Sequence, residues 1–291
     1  MKDTQFHPEL KRRKIYGWIL ATFCSGAACL ALFLLVVLIW DIAHDGLGSI
    51  NRTFISSFPS RFPTQAGIKA GLFGTLWLMV LTALFSLPVG IGAAIYLEEY
   101  ASKHWYTKLI NINISNLAGV PSIVYGILGL AIFVRWFSLG RSVLSGALTM
   151  TLLILPVIVT ASREAIKATP DSIRMAAFAL GATQWQTTRD HVLPASLPGI
   201  MTGVILALSR AMGETAPLIM IGAVSYIAFV PKSPMDAFTA LPIQIFNWAS
   251  RPSPAFHALA AGGIIILLIV LLGMNATAIF LRYRYQKNLK W

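Results

Sequence analysis

Six long runs of apolar residues, separated by polar or proline-rich segments, organise this chain. They extend over about 15–40, 71–97, 112–137, 143–162, 199–227 and 258–281. A helix needs about 20 residues to cross ~30 Å of hydrocarbon, so each run predicts one membrane span. The first run is too long for the apolar stretch of a secretory signal, and no small-residue cleavage pattern follows it; it predicts a retained helix. Asn51 to Thr64 and Pro231 to Pro254 predict loops or short interfacial helices. The expectation is an all-α integral membrane protein with six transmembrane helices.

Composition sharpens this picture. Hydrophobic residues make up 56% of the chain, charged residues only 12%, and mean hydropathy is +0.71. A soluble domain carries roughly a quarter charged residues, so a soluble fold is excluded. The net charge of +12 would point to nucleic acid in a soluble protein. Here most of the cations flank the apolar runs, which is the pattern of membrane orientation. With the N-terminus placed in the cytoplasm, fifteen Lys and Arg fall inside, seven fall outside, and Arg210 is left within a span. Both termini are therefore expected in the cytoplasm. Trp18, Trp40, Trp77, Trp136 and Trp248 fall near expected helix ends, as an aromatic belt requires. Cys24 and Cys29, five apart in the first run, point to opposite sides of a helix and imply neither a disulfide nor a metal site.

Catalytic motifs are missing. The chain has no Gly-x-x-x-x-Gly-Lys-Ser/Thr loop, no His-Glu-x-x-His pair and no clustered His/Cys set. It is not expected to be an enzyme or to hold a cofactor. If nucleotide drives it, another subunit binds the nucleotide.

Arg210 lies ten residues after Ile200, about 15 Å into the membrane at 1.5 Å per residue. Glu214 follows at i+4, on the same helical face. Stepping about 100° per residue from Gly199, the small residues Gly203, Ala207 and Ala211 fall at about 40°, 80° and 120°. Arg210 and Glu214 share that stripe. Met201, Ile205, Leu208, Met212 and Ile219 cluster opposite and are expected to face lipid. The pair is thus expected to face protein or a water-filled cavity. Two readings stay open: an ion pair that fixes packing, or a pathway for a tetrahedral oxyanion, which suits forked Arg donors. Gly213 and Pro217 are expected to break the helix beside the pair.

The longest connection expected in the cytoplasm runs over 163–198 and predicts two short helices. Thr169-Pro170-Asp171-Ser172 starts one, and Gly181 stops it. Thr183 starts the second, and Pro194 stops it. Ala176 and Ala177 keep the first helix slim enough for another protein's groove.

The loop resembles the docking signature of ABC importer membrane subunits: Glu-Ala-Ala, three residues, Gly, nine residues, Ile-x-Leu-Pro. Met175-Ala176-Ala177, Gly181 and His191-Val192-Leu193-Pro194 stand at that spacing, with Met175 replacing the usual Glu and His191 the usual Ile. Further segments are similar to phosphate importer permeases: Leu117 to Gly126, Ala94-Ile95-Tyr96-Leu97-Glu98-Glu99-Tyr100, and Arg210-Ala211-Met212-Gly213-Glu214-Thr215-Ala216-Pro217-Leu218. Gly-Glu-Thr-Ala-Pro, with Leu241-Pro242-Ile243-Gln244-Ile245-Phe246, resembles the A-type subunit rather than its C-type paralogue.

The resemblance covers about 70–282 and implies an ABC importer type I permease fold in the bacterial inner membrane. A basic tail, first span and external loop would occupy 1–70, a core of five spans 71–282 and a second basic tail 283–291. The implied partners are a C-type permease, two cytoplasmic ATPases that bind the ATP, an external phosphate-binding protein and membrane lipid, with no nucleic acid. The implied pathway residues are Arg210, Glu214 and Thr215, with Ser122 and Tyr125 lining or packing the path. The implied ATPase contacts are Met175, Ala176, Ala177, Gly181, His191, Leu193 and Pro194. A secondary anion transporter or channel, or a signalling subunit, would also carry six spans, but would need no docking loop.

Overall fold

The computed structural model describes residues 10–102, 104–223 and 226–287. The residues before 10 and after 287 lie outside the described residues, and of the cations counted above so do Lys2, Lys103 and Lys290. In chain order the first helices are α1 (Leu10–Gly46), α2 (Arg52–Ser56), α3 (Lys69–Ile95), α4 (Trp105–Leu117), α5 (Ser122–Gly129) and α6 (Val143–Lys167). They are followed by α7 (Asp171–Ala179), α8 (Gln184–Thr187), α9 (Leu193–Gly213), α10 (Ala216–Ile221), α11 (Leu241–Ala249) and α12 (Pro254–Lys287). With their flanking turns, α1, α3, α6, α9 and α12 are each long and apolar enough to span a membrane.

The expected span at 112–137 differs: α4 and α5, which continues through a wide turn to Trp136, meet at 103°. Counting this bent pair as one span gives six. Pro121 accounts for the bend. It has no N–H to continue the helical ladder, and its ring disfavours a helical residue before it. The Tyr125 hydroxyl donates to the Leu117 carbonyl across the bend at 2.8 Å. The expected run at 199–227 also stops early, at Gly213.

Helix α6 occupies the centre, against α3, α5 and α9. Ala147, Met150, Ile154 and Ile158 are fully buried in that core. Small residues let the helices approach. A Cβ at Gly90 would meet Ile158 Cγ2 at 2.7 Å, and one at Gly199 would meet Ala165 Cβ at 2.8 Å. The buried hydroxyls of Thr149 and Thr151 donate to the carbonyls of Ser145 and Ala147, both at 2.8 Å, and so stay satisfied in an apolar setting.

A second cluster gathers Phe54, Ile68, Leu241, Trp248 and Phe256. Its geometry corrects one expectation: Trp248 is 2% exposed and packs on the Phe54 ring at 5.9 Å, inside protein rather than in an aromatic belt. Trp18, Trp40 and Trp136 are exposed, as belt residues are. Helix α11 is anchored by polar contacts to α3 and its entry. Leu241 N donates to Thr75 Oγ1 at 2.9 Å, and Gln244 Nε2 donates to Gly67 O at 2.7 Å. The turn before α11 is held by Asp236, whose carboxylate accepts from the Lys232 and Ser233 amides at 2.8 and 2.9 Å. Those bonds hold its pKa below the usual carboxylate value. The Asp236 carbonyl accepts from Val143 N at 3.0 Å, tying the turn to the start of α6.

Candidate functional site

The break between α9 and α10 carries the charged pair. Arg210 lies in the last turn of α9; Glu214 lies just beyond it, with extended backbone at φ −75° and ψ 122°. Pro217 stands in the first turn of α10, where its missing N–H costs nothing. The helix therefore ends where Gly213 and Pro217 predict. Arg210 Nε and Glu214 Oε1 are 3.5 Å apart, so the i+4 pairing survives at the helix end. A cation in the last turn also faces the negative end of the helix dipole.

The helical-wheel expectation needs correction. Glu214 and Ile219 lie outside α9, so they do not belong on its wheel. Ile205 and Met212, expected in lipid, are 9% and 3% exposed. The exposed positions Gly199, Thr202, Leu206, Arg210 and Gly213 fall on an arc from about 300° to 20°. The physical reason is that α9 has protein on both flanks. Helix α6 covers the small-residue stripe at Gly199 and Gly203, and α12 covers the other side. There Ser209 donates to Asn275 Oδ1 at 2.7 Å and Arg282 donates to Thr202 Oγ1 at 2.7 Å. Arg210 stands at the edge of the remaining open arc. Its side chain is 47% exposed and that of Glu214 22%.

Two broken helices meet here. Helix α10 packs on α5, and a Cβ at Gly126 would meet Pro217 Cα at 2.7 Å. Tyr125, in the first turn of α5, is 6% exposed. Its hydroxyl is committed to Leu117, so it braces the bend. Ser122 opens α5 and Thr215 precedes α10; neither hydroxyl caps its helix.

The docking signature runs from α7 and its closing turn, past α8, to the wide turn at 188–192 and the start of α9. Gly181, at φ +82°, closes α7 in the left-handed conformation that glycine adopts without strain. Its amide donates to Phe178 O, and Ala182 N donates to Ala177 O. Thr183 starts α8 with a capping box shared with Gln186. Pro194 does not stop the helix, contrary to expectation. Residues 188–192 form a wide turn that leads directly into α9, and Pro194 falls in α9's first turn, where no N–H is required. Ala177 is buried, whereas Met175 and Leu180 are 70% and 89% exposed, and Phe178 and Trp185 are also open. His191 and Leu193 are half-buried at the base of α9.

Sequence reasoning missed a set of ion pairs below this loop. Glu98 accepts from Arg163 Nη2 at 2.6 Å, and Glu99 from Arg174 Nη2 at 2.7 Å. The partners are 65 and 75 residues apart, which left no local signal for either pair. A cavity of about 360 Å³ opens beside Glu98 and Arg163, lined also by His104, Trp105, Lys108 and Asn111. Asn275 was missed as well, although it is a single amide in a long apolar run, which is a readable signal.

The fold is similar to solved importer chains. One belongs to a bacterial alginate ABC transporter, with a TM-score of 0.64, 17% identity, and coverage of 94% of this chain and 96% of that one. Another belongs to the MetNI methionine ABC transporter in inward-facing form, with a TM-score of 0.58, 14% identity, and coverage of 74% and 94%. Both place the chain in the type I ABC importer permease fold. In sequence it is 30% identical to phosphate transport system permease protein PstA 1 of Mycobacterium tuberculosis, over 97% of this chain and 94% of the relative. It is 31% identical to the probable ABC transporter permease protein YqgI of Bacillus subtilis, over 95% and 98%. Residues 86–287 match the profile described as binding-protein-dependent transport system inner membrane component, and the chain belongs to that family.

Proposed function

We propose that the chain is the A-type permease subunit of an ATP-driven phosphate importer in the bacterial inner membrane. The observation that carries this reading is the helix break after α9, where half-exposed Arg210, at the edge of the open arc, pairs with Glu214. Charges at membrane depth need protein or water against them. A second, C-type permease supplies that cover, and the pathway runs between the two subunits. Forked guanidinium donors receive the oxyanion. Glu214 accepts a hydrogen bond from a protonated anion and repels a fully ionised one, which favours phosphate over sulfate. Broken helices at this depth expose backbone groups only where they line a cavity, as transporter sites do.

The loop end is cytoplasmic in this reading, as are both termini. The exposed Met175, Phe178 and Leu180 of α7 and its closing turn dock into a groove of a partner ATPase, which binds the ATP. An external binding protein delivers phosphate, and closure of the two ATPases drives alternating access. A channel or secondary transporter would leave this exposed apolar loop without a role. The test is uptake of radiolabelled phosphate into proteoliposomes holding the co-expressed complex. ATP-dependent uptake, with sulfate competing weakly, supports the reading. Uptake independent of ATP, or no ATPase retained on the purified chain, contradicts it.

A further inference from the structure

The loop is tied to the membrane helices around Glu99. Glu99 follows α3 by one wide turn, and its side chain is 7% exposed. Arg174 of α7 donates to Glu99 Oε1 through Nη2 at 2.7 Å and through Nε at 3.2 Å. The same guanidinium closes off the end of α6, donating to Thr169 O at 2.8 Å and Ile166 O at 3.2 Å. It also donates to Asp171 Oδ1 at 3.2 Å, within α7. From the other half of the loop, the Gln184 side chain donates to the Glu99 carbonyl. One step earlier, Glu98 pairs with Arg163 of α6 at 2.6 Å.

Elements α6, α7 and α8 thus converge on the end of α3, and the guanidinium fork joins α3, α6 and α7. A planar, always-charged donor with five N–H groups suits this task, which a lysine's single point of attachment does not. The pair is also largely out of water, so neither charge is left free to swing.

We propose that Arg174 is a positioning residue that transmits displacement of α7 to α3 and α6. The Arg174–Glu99 pair is then the mechanical link between the docking surface and the core helices packed against α9. The inference rests on the permease reading above. It differs from the docking role itself, because Arg174 faces the membrane helices and not the exposed surface of α7.

The experiment measures ATP hydrolysis and phosphate uptake together, in proteoliposomes holding the full complex. It compares the wild type with Arg174→Gln, Glu99→Gln and Arg174→Lys. Uncoupling predicts that Arg174→Gln and Glu99→Gln retain the ATPase and hydrolyse ATP at near wild-type rates. The phosphate moved per ATP falls about tenfold, the scale of one lost coupling contact. Arg174→Lys keeps the charge and one bond, and recovers part of that ratio. An unchanged ratio in both Gln variants would overturn the proposal, as would loss of assembly in all three variants, which assigns the pair to folding alone. Failure of the wild-type complex to couple uptake to ATP at all would instead remove the permease reading itself.

Discussion

Gly126 on α5 sits directly against Pro217 on α10: a methyl group added at position 126 would meet the proline Cα at 2.7 Å and Met220 Cβ at 2.8 Å. This contact joins the two broken helices that frame Arg210. Pro121 and Pro217 stand at the two breaks, and Gly126 is the glycine that packs one fragment on the other. Proline interrupts the ladder, and the absence of a side chain lets the fragments pack.

Gly126→Ala tests that contact by opposing two effects. Alanine in a helix gains about 1 kcal/mol over glycine, but overpacking against backbone costs about 1–3 kcal/mol. The clash is expected to win. The variant should melt at lower temperature than the wild type in detergent. Gly92→Ala, which has open space around it, should melt no lower than the wild type.

Gly181→Ala should weaken docking through the backbone strain it adds to the turn that closes α7. At φ +82° a non-glycine residue costs roughly 1–2 kcal/mol. That strain falls on the turn holding α7 to α8, so ATPase retained on the purified subunit should fall roughly fivefold to thirtyfold. Retention at the wild-type level would show that the turn is dispensable for docking.

The turn at 232–236 should respond to acid. Asp236 has a lowered folded pKa, so its contribution is fully present above the ordinary carboxylate value and is lost as pH falls through the lowered one. Hydrogen exchange at the Lys232 and Ser233 amides reads this directly. At neutral pH, Asp236→Ala should exchange severalfold faster than the wild type, and on acidification the difference should shrink.

Glu214→Gln tests the role of the carboxylate. Removing the charge should relax discrimination, so that sulfate competes with phosphate more strongly. Normal phosphate transport with unchanged selectivity would exclude a hydrogen-bond-accepting role for Glu214.

Much of this architecture was legible because its signals are local. Run lengths give the spans, Gly213 and Pro217 give the break, Gly181 gives the end of α7, and Thr183 starts α8 with its capping box. Non-local packing was not legible. The wheel for α9 assumed that apolar residues turn to lipid, whereas α6 and α12 bury Ile205 and Met212 and leave Arg210 at an open edge. Arg174 and Glu99 are 75 residues apart, and no spacing rule joins them. Pro194 read as a stop because proline usually ends a helix, but the wide turn before it places it in a first turn instead.

The central claim is that Arg210 bounds the phosphate pathway, and the most direct measurement is phosphate uptake by the reconstituted complex carrying Arg210→Gln, with subunit assembly followed in parallel. A charge-assisted hydrogen bond made during passage is worth about 1.5–3 kcal/mol, so uptake should fall roughly tenfold to a hundredfold while the complex stays assembled. Uptake at the wild-type rate, or loss of uptake together with assembly, would contradict the account.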